Sequence, residues 1–177
     1  MPDFPIIRNI DPVVISAATP QSIGEALNSI GSGLSAAAWP TANKAYYIPV
    51  SIYSPVTIVK MFVVNGATAS GNIDVGIYDA GGARLVSIGT TAQSGTSAIQ
   101  EFNITDTTLS PGLYYLACAM DNTTGTVEVW NPSIAIARSL GIVEQTTAFA
   151  LPATATFAAL SGTFRVPFIG ATRRAVV

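Results

Sequence analysis

Between Ala45 and Trp130 the chain repeats one pattern: a short apolar or alternating run, then a cluster of turn residues. No amphipathic helical pattern of about ten residues separates these runs, which argues against parallel βαβ units and for short antiparallel strands closed into a sandwich or barrel. The clearest run is Asn72–Tyr78. Ile73, Val75 and Ile77 alternate with Asn72, Asp74, Gly76 and Tyr78, as a strand with two different faces requires. Asp79-Ala-Gly-Gly-Ala then predicts a turn, with Arg84–Ile88 returning as a hairpin partner. Ala45–Ser51, Val56–Val64, Gln100–Ile104 and Thr126–Trp130 read as further strands, and Thr107–Gly112 as a loop. Leu113–Met120 is wholly apolar, the signature of a central strand buried on both faces. Ser133–Leu140 fits a strand or a helical turn, and the Ala/Thr-rich Ala148–Leu160 fits neither period. Phe164–Phe168 alternates, but Pro167 confines it to an edge or a strand end.

The flanks differ from this centre. Residues 1–20 hold four prolines and no sustained period, which predicts an extended arm. Ile23, Leu27 and Ile30 have the spacing of a short helical turn. The expected organisation is an arm over 1–35, an all-β antiparallel sandwich, jelly-roll-like, over 36–170, and a tail over 171–177.

Charge narrows the function classes. Only 8 basic and 10 acidic residues occur, 10% of the chain, although 49% is apolar. An ordinary soluble domain carries roughly 25% charged residues, so the expected surface is Thr, Ser, Ala, Gly and exposed aliphatics, a kind that other protein tends to cover. The basic residues are scattered, with only Arg173 and Arg174 adjacent, so no footprint for nucleic acid is expected. The run Gln145–Phe164 is uncharged but holds Pro152, Gly162 and many hydroxyl side chains, which argues against a membrane helix. The single cysteine, Cys118, lies in the apolar run and reads as a small buried hydrophobe.

Chemistry is bounded mainly by what is missing. The sequence has no histidine, which removes Ser-His-Asp and Cys-His systems and histidine-ligated metals. It has no CxxC pair and no phosphate-binding glycine motif. Asp74, Asp79, Asp106 and Asp121 fall in or near the strands. As paired carboxylates they would suit glycoside hydrolysis, and with loop carbonyls a structural Ca²⁺. Asp79, Asp106 and Asp121 also sit beside Gly, Asn or Thr at expected turns, where Asx-turn capping is the simpler role. No enzyme activity, cofactor or metal is therefore expected. Trp39, Tyr46, Tyr47, Tyr53, Tyr78 and Trp130 suit either subunit interfaces or flat platforms for sugar rings. Tyr114 and Tyr115 are expected in the core or between sheets.

The stretch Trp39–Gly125 carries a resemblance, in Trp39-Pro40, Gly71–Asp79, Ser110–Tyr115 and Asp121–Gly125. It resembles small β-sandwich virion structural proteins of tailed bacteriophages. Its "GIYD…G" hairpin and "PGxYYL" strand start also recur in jelly-roll carbohydrate-binding modules. The resemblance implies a virion structural protein and carries over no catalytic residue. The expected function is a capsid decoration (cement) protein located in the virion, with the major capsid protein or other virion proteins as partner. A homo-oligomer is expected, with a trimer the simplest order. The alternative is a tail or fibre component that binds host glycans. Expected contact residues are Phe4, Ile6, Ile7, Val13 and Val14 in the arm, and Trp39, Tyr46, Tyr47 and Trp130 in the sandwich.

Overall fold

A computed structural model describes residues 34–173 and the backbone of Ile15–Ser16. The expected helical turn near Ile23–Ile30, and the contact residues Phe4, Ile6, Ile7, Val13 and Val14, lie outside the described residues.

The described chain is an all-β antiparallel sandwich. One layer is a seven-stranded sheet. Its path runs β12 (Ala158–Ala159), β11 (Val143–Gln145), β3 (Lys44–Ile52), β9 (Gly112–Met120), β5 (Asn72–Asp79) and β6 (Arg84–Ser87), with β7 (Thr91–Ala92) also pairing β5. The facing layer has two parts. A four-stranded sheet orders β1 (Ile15–Ser16), β14 (Ile169–Arg173), β4 (Val56–Val64) and β8 (Ile99–Leu109). A three-stranded sheet orders β13 (Val166–Pro167), β10 (Thr126–Trp130) and β2 (Ser35–Ala38). The two parts are stitched by the Asn65–Val127 bridge and by the Phe168 N–H donating to Glu128 O at 2.7 Å. One short helix, α1 (Ile134–Ser139), follows β10; Ser133 Oγ accepts from the Ile136 N–H at its start.

Side-chain alternation sets what each face meets. Tyr46 and Ile48 of β3, Leu116, Cys118 and Met120 of β9, and Ile73, Val75 and Ile77 of β5 point between the layers, where they join Ile58, Met61, Val63, Val127, Val129 and Ile169. Burying such side chains contributes roughly 1.5–3 kcal/mol each. The opposite face of the large sheet presents small residues, Ala45, Ala117 and Ala119, beside Tyr47 and Tyr78, and packs with Ala148 and Leu151. A non-regular segment, residues 146–157, covers it.

Pro49 sits in the middle of β3, yet it breaks no ladder. Strand β11 pairs β3 only at Ala45, Tyr46 and Tyr47, so among the described residues β3 has already become an edge at Pro49. Pro167 likewise lies on an edge strand, β13, as its chemistry requires. Gly76 faces the covering segment, where a Cβ would come within 2.8 Å of Val86 O and 3.1 Å of Leu151 Cδ1. Two expectations change. β8 continues through the region read as a loop, to Leu109. Strand β14 takes Ala171–Arg173 into the sheet, so the expected tail starts inside a strand, held by pairing with Met61, Lys60 and Ile58.

Candidate functional site

The four sandwich residues expected at a contact surface lie inside the protein. Trp39, Tyr46 and Tyr47 are at most 1% exposed and Trp130 is 5% exposed. Their polar tips are occupied internally where the geometry is defined. Trp39 Nε1 donates to Lys44 O at 2.9 Å, Tyr46 Oη to Thr163 O at 3.3 Å, and Tyr47 Oη to Gln145 Oε1 at 3.0 Å. The Trp39 and Tyr46 rings meet edge to face at 5.2 Å. The correction has a physical cause. Large rings with one polar atom satisfy a core as well as an interface once a backbone carbonyl lies within reach. Among the described residues, the exposed aromatic is Tyr53, 91% exposed, in the turn between β3 and β4. One ring gives no stacking platform of two or three.

Tyr114 and Tyr115 are half-buried, one against each core cluster, and Cys118 is fully buried, with burial pushing its thiol pKa up. Burial also raises the Tyr46 and Tyr78 hydroxyls, and pushes Tyr47 up to about 12.

The carboxylates take separate structural roles. Asp79 Oδ1 accepts from the Ala83 N–H at 2.9 Å and closes the hairpin turn. Asp121 accepts from the Asn72 N–H at 2.8 Å and from Asn72 Nδ2 at 2.7 Å. Its pKa is lowered: the modest burial that would raise it is outweighed by these hydrogen bonds and that of Asn122. Asp106 lies on the exposed part of β8. Asp74 is fully buried on the outer face of β5, where Oδ2 accepts from the Leu151 N–H at 3.0 Å. Burial raises its pKa, opposed by the Leu151 N–H and the nearby Arg84. Among the described residues, no group of three His, Cys, Asp or Glu side chains is placed to hold a metal ion. No described helix is long and apolar enough to cross a membrane.

Sequence reasoning missed a buried ion pair. Lys44 Nζ lies 3.1 Å from Glu144 Oε1, with side chains 8% and 4% exposed, and Ser161 Oγ donates to the same oxygen at 2.6 Å. The partners are a hundred residues apart in sequence, so no local spacing could have signalled it. The pair fastens β11 and the Ser161 segment to the start of β3.

The covering segment is anchored along its length. Tyr78 Oη donates to Pro152 O at 2.6 Å, the Arg84 guanidinium to Leu151 O, the Arg84 N–H to Ala153 O at 2.9 Å, and the Ala155 N–H to Gly82 O at 2.8 Å. Ala148 N–H donates to Asn43 O at 2.6 Å.

Among the described residues, one flank of the smaller layer is closed by a very short strand. Strand β1 lies on the outer flank of β14, with Ile15 opposite Ala171 and Ser16 opposite Gly170. A ladder of two residue pairs is worth on the order of 1–3 kcal/mol at most. Comparison with known proteins gives no match to a family model, to a curated protein or to a solved structure.

Proposed function

We propose that this chain is a non-enzymatic structural protein of a bacteriophage virion, a capsid decoration protein that attaches through strand addition by its N-terminal segment. The observation that carries the reading is β1 on the edge of β14: a short stretch far ahead of the sandwich in sequence pairs with a sheet by backbone hydrogen bonds. Strand addition is a general mode of protein association, in which the ladder supplies affinity and side chains supply selection. Two further supports are the resemblance of Trp39–Gly125 to phage virion proteins and a sequence poor in ionic groups. Repeated over many copies, apolar burial at roughly 25 cal/mol per Å² stabilises a shell even though ordering the segment opposes it. The glycan-binding alternative loses its main support, because the rings that would form its platform are buried.

The test is particle imaging combined with deletion of residues 1–20. The sandwich is expected on the capsid surface, and the deletion is expected to weaken decoration of shells at least tenfold while leaving the sandwich folded. Location on the tail, or decoration of shells with unchanged affinity after the deletion, overturns the proposal.

A further inference from the structure

We infer that β1 is an exchangeable strand, and that its partner in the assembled protein is β14 of a second copy of this chain. The inference rests on the strand-addition reading above and names its acceptor. Strand β14 is bonded on its inner side along its length to β4, and on its outer side the described pairs are Ala171 with Ile15 and Gly170 with Ser16. Among the described residues, that outer flank of β14 is held by one short ladder.

Reach permits the exchange. The connection from Ser16 to Leu34 comprises residues 17–33, which when extended span on the order of 55 Å. A compact chain of this length has a radius of gyration of about 16 Å. The segment that reaches its own β14 can thus reach the β14 of an adjacent copy. Backbone partners are the same in either case, so the ladder itself does not choose between them. The choice falls to concentration. A connection of this length holds β1 at an effective concentration in the millimolar range; neighbouring copies side by side on a surface match that. In the sequence Pro12 and Pro20 flank Ile15–Ser16, and proline donates no ladder N–H. A net charge of −2 gives copies little mutual repulsion. Reciprocal exchange closes a dimer, and one-way exchange closes a ring such as a trimer.

Paired cysteines test this in the full chain, since Cys118 is buried and silent. The register places Ile15 opposite Ala171, within the range a cross-strand disulfide can bridge. Ile15→Cys and Ala171→Cys proteins are mixed, and the double variant is oxidised alone, with products resolved by non-reducing electrophoresis and peptide mapping. The mixture is expected to yield a dimer linked between positions 15 and 171, its yield rising with concentration. Ser16→Cys with Gly170→Cys repeats the experiment should the first pair disturb folding. A monomeric mixture, with the double variant closing only within one chain, overturns the exchange while leaving an arm that binds another protein. Absence of any 15–171 or 16–170 linkage overturns it as well. The arm reading itself falls only if deleting residues 1–20 leaves decoration unchanged.

Discussion

On the inner face of the large sheet, Ile73, Val75, Ile77, Leu116 and Met120 meet a second sheet, and the contact is made of aliphatic side chains. On the outer face, Ala45, Gly76, Ala117 and Ala119 hold back from the surface, and the space is taken by a segment without regular structure. Regular strands bond to one another, so the inner contact needs only complementary volume. An irregular segment keeps its own N–H and C=O groups unpaired, so the outer contact needs polar anchors as well. Asp74, Tyr78 and Arg84 supply them, projecting from or beside the sheet to meet Leu151, Pro152 and Ala153. The small outward residues and the buried polar anchors belong together: each lets backbone approach backbone.

Substitutions on the two faces should therefore fail differently. Leu116→Ala, at the centre of the inner face, is expected to cost about 2–5 kcal/mol and to lower the midpoint of global unfolding in urea. Tyr78→Phe removes one hydroxyl and leaves Pro152 O unpaired; the expected cost is about 1 kcal/mol. That loss should be local, with amide exchange at Leu151 and Ala155 rising about fivefold while the strands stay protected. Equal loss of protection in both regions would show that the covering segment and the sandwich unfold as one unit.

Asp74→Asn is expected to have the smallest effect, and its signature is pH dependence. Because burial raises the Asp74 pKa above its unfolded value, the folded protein binds the proton more tightly than the unfolded chain. Its contribution is most favourable below the unfolded value, near pH 4, and declines as pH rises to the raised folded value. Unfolding midpoints measured across that window should fall with rising pH in the parent relative to Asp74→Asn. Parallel curves would contradict the assignment.

The sequence showed much of the fold because apolar or alternating runs bounded by turn residues survive in it. Val56–Val64 and Thr126–Trp130 have the same bounds in the structure as in the pattern. The strand β8 was cut short for a local reason. A register shift opposite Ile58 and Lys60 leaves Thr105 and Asp106 both exposed, which breaks the alternation before it resumes. The covering segment was unreadable because its contacts come from distant anchors rather than from a period of its own. The same limit applied to the site. Trp39, Tyr46, Tyr47 and Trp130 suit an interface by residue type, but the acceptors of the Tyr46 and Tyr47 hydroxyls, Thr163 O and Gln145 Oε1, come from distant parts of the chain. The pairing of β1 with β14 had no signal at all, since nothing local in Ile15–Ser16 names its distant partner.

Sedimentation equilibrium of the full chain, from micromolar to near-millimolar concentration, tests the assembly claim most directly. Concentration-dependent oligomers that disappear on deletion of residues 1–20, with the sandwich still folded, are the predicted result. A single monomeric species across the whole range would contradict it.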